Sequence, residues 1–433
     1  MAPIDIQPFM LGRRIHHTDF GTGKHSEPDN PIYTEMAGKL GPQFVGTSCI
    51  GCHEFNGAAM PAAVGAPLLQ YAIHVGTDAI GSPHPDLGST LQTRAAPGFK
   101  AEGDIRISSW TETAGAFADG TPYSLRKPSY TFAGVVPSYF SVRLAPRLVG
   151  EGLLEAIDER SIAALAAQKK PDGITGHMNI LKDPVSGVPR MGRFGWKANQ
   201  ASLPDQIAAA FVNDMGVTTT IFPHRDRGSN QLNMDPTPNQ TVAGATAEAA
   251  SFQKIAYNTS GGDGKQPQIG PTVELAPTDL GNLYRYIALL GVPPRRDYAD
   301  PDVVKGQAIF ASANCNACHV DTMKTSQYHP LAELRNQTIH PYTDMLVHDM
   351  GPGLADNMGD GKAAGSEWRT TPLWGIGLSP GVTGGEVYLH DGRARNLTEA
   401  ILWHDGEARK AKERFLAMSA ADRADLIKFL QSL

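Results

Sequence analysis

Apolar residues recur every three to four positions in several stretches of this chain, which is the spacing of an amphipathic helix. Between residues 203 and 215, for example, Ile207, Phe211 and Met215 fall on one helical face. The same spacing predicts helices over 32–44, 148–157, 161–168, 203–215, 245–257, 278–290, 301–311 and 397–404, and after Ser419. Ser161, Thr278 and Thr398 are predicted caps, and Asp422 is the capping-box partner of Ser419.

Strand-like alternation is confined to short segments. Residues 104–112 alternate between apolar and polar side chains, and 130–132 and 139–142 are further extended candidates. The 46 glycines and 32 prolines predict long loops, and residues 1–35 are polar enough to predict a surface arm that carries His16, His17 and His25. The predicted fold is therefore mainly α with long loops and a few short β-hairpins.

Every cysteine of the chain lies in one of two Cys-x-x-Cys-His motifs. The first is Cys49, Cys52 and His53, and the second is Cys315, Cys318 and His319. This spacing is typical of c-type haem attachment, in which two thiols bond the porphyrin and the adjacent histidine binds iron. The sequence therefore predicts two covalently attached haems and a hairpin layer beside the first. Zinc binding or disulfide formation remains the alternative.

Length and composition narrow the class of protein further. With 433 residues, two or more domains are expected. The Pro-Pro-Arg-Arg run at 293–296 predicts a boundary between cytochrome c-like domains over 1–296 and 297–433. A net charge of −6 argues against nucleic acid as a partner, and no apolar run is long enough to span a membrane. Because c-type haem is attached outside the cytoplasm, we expect a periplasmic protein whose export signal has been removed.

The sixth ligand of each iron decides whether the haem carries electrons or binds a small molecule. His404 is the candidate at the second haem, because it shares the apolar face of the predicted helix with Ala400 and Ile401; a buried core histidine is the alternative. At the first haem, His74 and His84 are candidates from the following loop. The alternative is an open iron with Glu112 as acid–base partner, since peroxide cleavage needs a proton to be moved. The loop 356–361 is rich in oxygen ligands and is a candidate Ca²⁺ site.

Several longer runs resemble a known family. LHDGRARNLTEAILWH (389–404), WRTTPLWGIGL (368–378), GRFGWKA (192–198), DGTPYSLR (119–126) and LAPRLVG (144–150) are similar to di-haem oxidoreductases of the thiol oxidoreductase and peroxidase type. That family is related to the bacterial di-haem cytochrome c peroxidases and MauG. In the peroxidases, a Met or Tyr axial ligand follows the His-Asp-Gly by fourteen residues; here the same position holds His404.

The resemblance implies a peroxidase-like enzyme with divided labour. The C-terminal haem would accept electrons from a small donor protein, either a cytochrome or a cupredoxin. The N-terminal haem would be the reaction centre for peroxide or another small oxidant. Two histidine ligands lower a haem potential relative to a His/Met pair, so the donor is expected to differ from that of the peroxidases. A non-catalytic di-haem electron-transfer protein is the alternative function.

Overall fold

The computed structural model describes residues 3–229 and 273–433. Its helices are α1 Pro3–His16, α2 Glu151–Glu155, α3 Glu159–Ala167, α4 Leu203–Asp214, α5 Pro277–Ala288, α6 Pro301–Ser312, α7 Gly351–Leu354, α8 Ser379–Thr383, α9 Leu397–Leu402, α10 Arg409–Ala417 and α11 Ala420–Ser432. Its strands are β1 Gln43–Phe44, β2 Tyr71–Gly76, β3 Arg94–Ala95, β4 Gly103–Ala116, β5 Pro122–Gly134, β6 Tyr139–Leu144, β7 Ile180–Lys182, β8 Pro189–Met191, β9 Met323–Lys324, β10 Thr338–Ile339, β11 Val347–Asp349 and β12 Glu367–Arg369. The helix predicted over 245–257 lies outside the described residues.

Two crossed helix pairs organise these elements. α1 packs on α5, and α6 packs on α11. Each crossing places a glycine against a backbone carbonyl: a Cβ at Gly12 would lie 2.0 Å from the Asn282 oxygen, and one at Gly306 would lie 2.0 Å from the Asp425 oxygen. Only glycine permits such a close approach of two helices. The same crossing therefore occurs twice, once before and once after residue 296.

The N-terminal segment is a docked helix, so the predicted surface arm was wrong there. α1 ends at His16, and both Ile15 and His16 are fully buried. An ion pair of 3.0 Å joins Asp5 to Arg285 on α5. The pattern is hard to read from sequence because Pro8 lies inside the helix and apolar residues also lie on its exposed side. Contacts with α5 stabilise the helix more than its own propensity does.

The helix predicted over 32–44 does not form. Residues 34–38 are turns, and the segment ends in β1. Gly38 has a φ of +75°, which is a helix-terminating conformation. Gly41 packs directly against the backbone of Gly216. The apolar residues of this stretch are therefore buried by a loop rather than by a helix.

The longest strands form the predicted hairpin. β4 pairs antiparallel with β5, with a register shift between Ile107 and Ser109, and β6 pairs with β2. The extended segments predicted at 104–112, 130–132 and 139–142 are thus confirmed. The base of the hairpin packs on β2, whereas Phe117 at its tip joins the cluster formed by the C-terminal helices.

Helix starts differ from several predicted caps. Asp158 rather than Ser161 caps α3, because its carboxylate accepts from the Arg160 N–H. Asn396 rather than Thr398 caps α9, where its side chain accepts from the Glu399 N–H. α5 begins after Ala276 with Pro277 as its first residue, so Thr278 is not the cap. The Ser419 cap of α11 is confirmed, since its hydroxyl accepts from the Asp422 N–H.

The buried apolar residues form two main clusters. The larger one joins α1, α4 and α5 to residues after 296, such as Met323, Leu331 and Ile339. The second consists mainly of α6 and α9–α11. The residue-296 boundary falls in the connection between α5 and α6. The division into two haem domains stays a prediction.

Candidate haem sites

Both Cys-x-x-Cys-His motifs adopt the same tight turn. The N–H of His53 donates to the Cys49 carbonyl at 2.9 Å, and that of His319 donates to the Cys315 carbonyl at 3.0 Å. All four thiols are free. The first pair of cysteines lines one cavity and the second pair lines another. A single site with four thiolates is therefore not formed, which disfavours a Cys₄ zinc site.

The second cavity brings the side chains of two histidines close together. His319 Nδ1 donates to the Tyr342 carbonyl at 2.9 Å, and His404 Nδ1 donates to the Ala400 carbonyl at 2.7 Å. Each backbone bond holds the proton on Nδ1 and leaves Nε2 free to bind a metal. Burial, followed by nearby His404, lowers the pKa of His319 to about 4, and burial also lowers the pKa of His404. Both rings are therefore neutral, as metal ligands must be.

The separation of these two rings fits one metal ion. Their centres lie 6.4 Å apart. Imidazole nitrogens bind metal ions at about 2 Å, so one ion shared by two rings sets their centres about 6 Å apart. The position predicted for His404 is thus opposite His319, across a cavity that Cys315 and Cys318 also line.

The first cavity repeats the arrangement on the side of His53. His53 Nδ1 donates to the Pro146 carbonyl at 2.7 Å, and burial lowers the pKa of His53 to about 4. Among the described residues, no histidine ring pairs with that of His53 as His404 pairs with His319, although His16 and His74 line the same cavity. The two cavities therefore differ in what faces the motif histidine.

His16 lines the first cavity, which the sequence did not predict. Neither of its ring nitrogens has a hydrogen-bond partner, and burial, followed by His53, lowers its pKa. His16 follows Gly12 by four residues, as Phe310 follows Gly306. The Phe310 ring lies 6.1 Å from the His319 ring, and His16 contacts Tyr286 as Phe310 contacts Phe429. The matched position places His16 on the side of His53, not opposite it.

Of the two loop histidines predicted as ligands, the structure brings only one to the site. His74 lies on β2, opposite Ser141, and lines the first cavity. Burial, followed by the charge of Arg143, lowers the pKa of His74 to about 3. His84 lies in a turn, where its Nδ1 accepts from the Asp86 N–H at 3.1 Å, and it lines neither cavity.

One wall separates the two cavities, and it carries positive charge. Arg147, Glu151, Trp196 and Arg369 line both cavities. Burial lowers the pKa of Arg147 to about 10, and Arg369 Nη1 is buried without a partner. No carboxylate of the described residues forms an ion pair with either guanidinium. Because unpaired buried charges are costly, these arginines fit an anionic group in the cavities, such as the propionates of a haem.

The wall also contains a carboxyl group and an indole. Burial raises the pKa of Glu151 to about 7. The Trp196 indole N–H donates to the Leu144 carbonyl at 2.8 Å, so its ring is held between the cavities. Its ring centre lies 6.5 Å from that of His390, which stacks on Trp368 and lines the second cavity.

Comparison with known protein families identifies the family of this chain. Residues 137–433 match the family model described as "Di-haem oxidoreductase, putative peroxidase". The chain belongs to this family. The match includes the second Cys-x-x-Cys-His motif and His404, and the first motif precedes it.

Similarity of this chain to individual known proteins is weaker than its match to the family model. A solved structure of Kuenenia stuttgartiensis hydrazine synthase under 20 bar xenon is 22% identical over 37% of this chain, with a TM-score of 0.26. The matched region spans only 57% of that chain. A TM-score this low does not indicate a shared overall fold. No curated protein matches the chain. Within the described residues, no helix is both long and apolar enough to cross a membrane.

Glu112 does not lie with the haem-binding residues. It projects from β4, and its carboxylate accepts hydrogen bonds from Ser124 and Arg395. Its side chain is 47% exposed and lines neither cavity. An acid–base role for Glu112 stays a prediction, and Glu151 is the carboxyl group that the fold places at both cavities.

The oxygens of the predicted Ca²⁺ loop already face protein cations. Asp356 lies 3.5 Å from Lys197 Nζ, and Asp360 pairs with Arg143 at 2.8 Å. A separate cluster of Cys318, Asp344 and His348 also resembles a metal site. The His348 ring in this cluster lies between the carboxylates of Asp344 and Glu407. Burial opposes its charge, yet the hydrogen bonds that its ring makes to Asp344, Cys318 and Glu407 raise the pKa of His348 to about 12. A protonated histidine cannot bind a metal.

Proposed function

We propose that this chain is a di-haem c-type oxidoreductase that reduces a small oxidant such as hydrogen peroxide. Cys49, Cys52 and His53 hold the first haem, and Cys315, Cys318, His319 and His404 hold the second. Haem iron supplies one-electron chemistry and, where its sixth position is open, a site for a small ligand. Reduction of one peroxide to two waters consumes two electrons and two protons.

The contrast between the two cavities carries this proposal. His319 and His404 face each other at a separation suited to a single iron, so the second haem is saturated and acts in electron transfer. His53 has no histidine ring opposite it, so the first haem is the reaction centre. Electrons come one at a time from a small cytochrome or cupredoxin in the periplasm, reach the second haem and pass to the first.

The shared wall suits transfer between the two haems. Trp196 is held against both cavities by its bond to the Leu144 carbonyl. Arg147 and Arg369 balance propionate charge on both sides. Glu151 lies in the same wall and, with a pKa near neutrality, exchanges protons at the pH of the periplasm.

Electron paramagnetic resonance of the protein loaded with both haems tests the proposal. We expect a low-spin ferric signal from the second haem and, in the oxidised or one-electron-reduced form, a high-spin signal from the first. His404→Ala should convert the second haem to high spin and slow peroxide consumption with a reduced donor protein. Two low-spin haems in both states, with no peroxide turnover, would overturn the assignment.

A non-catalytic electron carrier is the second candidate, because His74 lines the first cavity. If His74 binds the first iron, His74→Ala converts that haem from low to high spin. His84→Ala is the matched control, since His84 lines neither cavity. The enzyme proposal expects both variants to leave the spin state of the first haem unchanged.

A further inference from the structure

One helix lies over each cavity, and the two helices begin in the same way. α4 follows Ser202, whose hydroxyl accepts from the Asp205 N–H at 3.2 Å. α9 follows Asn396, whose side chain accepts from the Glu399 N–H at 2.8 Å. Each helix thus has its cap, then leucine, and an acidic residue three positions after the cap. Residues of the two helices can therefore be compared by counting positions from each cap, with Ser202 and Asn396 as position zero. This comparison does not require overall sequence similarity.

Four positions of this numbering line a cavity in both halves of the chain. The positions one, four, five and eight after the cap line the first cavity as Leu203, Gln206, Ile207 and Ala210. They line the second cavity as Leu397, Ala400, Ile401 and His404. These four positions therefore face a cavity in both segments, although His404 lies two residues beyond the end of α9 and Ala209 and Phe211 also line the first cavity. At the eighth position, His404 of the second cavity is replaced by Ala210 in the first.

At the fourth position after the cap, the first cavity has the polar side chain and the second has the apolar one. Ala400 of the second cavity corresponds to Gln206 in the first, and the Gln206 side-chain oxygen is buried without a hydrogen-bond partner. An unpaired buried acceptor is costly and is normally satisfied by a donor. Relative to the second cavity, the first therefore has alanine instead of histidine at the eighth position. It has glutamine instead of alanine at the fourth position, one helical turn away.

We infer that Ala210 keeps the sixth position of the first iron open, and that Gln206 accepts a hydrogen bond from the small molecule that occupies it. This inference rests on the proposed function and specifies its substrate class. An acceptor oxygen favours small neutral molecules with an O–H group, such as hydrogen peroxide or an alkyl hydroperoxide. Anions, which lack a proton to donate, gain nothing from the amide oxygen. Gln206 is therefore a specificity-determining residue.

Substitution of Ala210 tests the geometry without relying on activity. In Ala210→His, the new imidazole has the place that His404 has in the second cavity. We expect the first haem to become low-spin and to lose its spectral response to cyanide. Ala210→Leu is the matched control, because it fills the same space without a ligand nitrogen. It should remain high-spin and bind cyanide at least tenfold more weakly.

Gln206→Leu tests the substrate class. Its spin state should match that of the wild type, while KM for hydrogen peroxide rises about tenfold, as expected for one lost hydrogen bond. Cyanide affinity should stay within twofold, because an anion does not use the acceptor. An unchanged KM would overturn the role of Gln206, and a high-spin Ala210→His would overturn that of Ala210.

These results are separable from failure of the proposed function. A wild-type protein with two low-spin haems and no peroxide turnover would refute the enzyme assignment. Ala210→His combined with His74→Ala then decides the geometry alone. A return from high spin to low spin in the double variant supports the position of Ala210, and a persistent high-spin signal overturns it.

Discussion

The glycines at the two helix crossings provide a quantitative test of the repeated architecture. A Cβ at Gly306 would lie 2.0 Å from the Asp425 carbonyl oxygen, and one at Gly12 would lie 2.0 Å from the Asn282 oxygen. An ordinary contact needs at least 3.4 Å, so either substitution by alanine forces its helix pair apart by more than 1 Å. Overpacking of this kind costs about 1–3 kcal/mol, and the upper end applies here because the obstacle is backbone.

Gly281→Ala is the matched control. Gly281 lies inside α5, with nothing within 4 Å of an added Cβ. Because alanine is the better helix former, this change should stabilise the protein by about 0.5–1 kcal/mol. Gly306→Ala and Gly281→Ala should therefore differ by about 3–4 kcal/mol, which corresponds to roughly 3–4 °C in the thermal midpoint of a chain of this length. Circular dichroism on heating measures the difference. Equal midpoints for the two variants would refute the close crossing.

Two further predictions concern buried charge. Arg369→Gln removes a cation from the wall between the cavities and should lower the haem potentials by on the order of 50 mV. Spectroelectrochemical titration measures the potentials, and Arg369→Lys is the control because it keeps the charge. Unchanged potentials in Arg369→Gln would contradict the pairing of Arg369 with a propionate. Burial raises the pKa of Glu102 to about 8, so the folded state holds a proton that the unfolded state releases between about pH 5 and 8, and stability falls as pH rises through that range. Glu102→Gln should then match the wild type near pH 4 and exceed it at pH 9 by a few kcal/mol at most in urea unfolding. Glu112→Gln, at an exposed carboxylate, should show no gain at pH 9, and a gain equal to that of Glu102→Gln would refute the burial argument.

Local signals explain which elements the sequence predicts well. α4, α5, α6 and α11 each combine an apolar stripe with a cap or an N-terminal proline, so their bounds are confirmed to within a few residues. α1 was missed because its stability comes from contact with α5, including the approach at Gly12. Nothing in residues 3–16 alone reveals that partner.

The site divides in the same way. The two Cys-x-x-Cys-His motifs are contiguous in sequence, and His404 follows a helix with an apolar face, so both were predicted directly. Glu151 and Arg369 are more than 200 positions apart in the chain and meet only through the fold. Ala210 carries no chemical signal of its own. Only an alignment of α4 with α9 on their caps pairs Ala210 with His404.

The two halves of the molecule are best understood as one arrangement used twice with different side chains at matched positions. The helix crossing, the motif turn and the backbone acceptor of the motif histidine recur in both halves. If one haem carries electrons and the other is the reaction centre, as proposed, the difference has to come from the side chains, because a shared scaffold cannot by itself produce it. In the proposed function, His404 in the second cavity binds the iron, whereas Ala210 at the matched position of the first cavity does not. Ala400 in the second cavity offers no polar group, whereas Gln206 in the first offers a hydrogen-bond acceptor to a bound molecule. In the proposed function, electrons flow towards the first haem, because only an open iron can deliver electrons to an oxidant that must bind it.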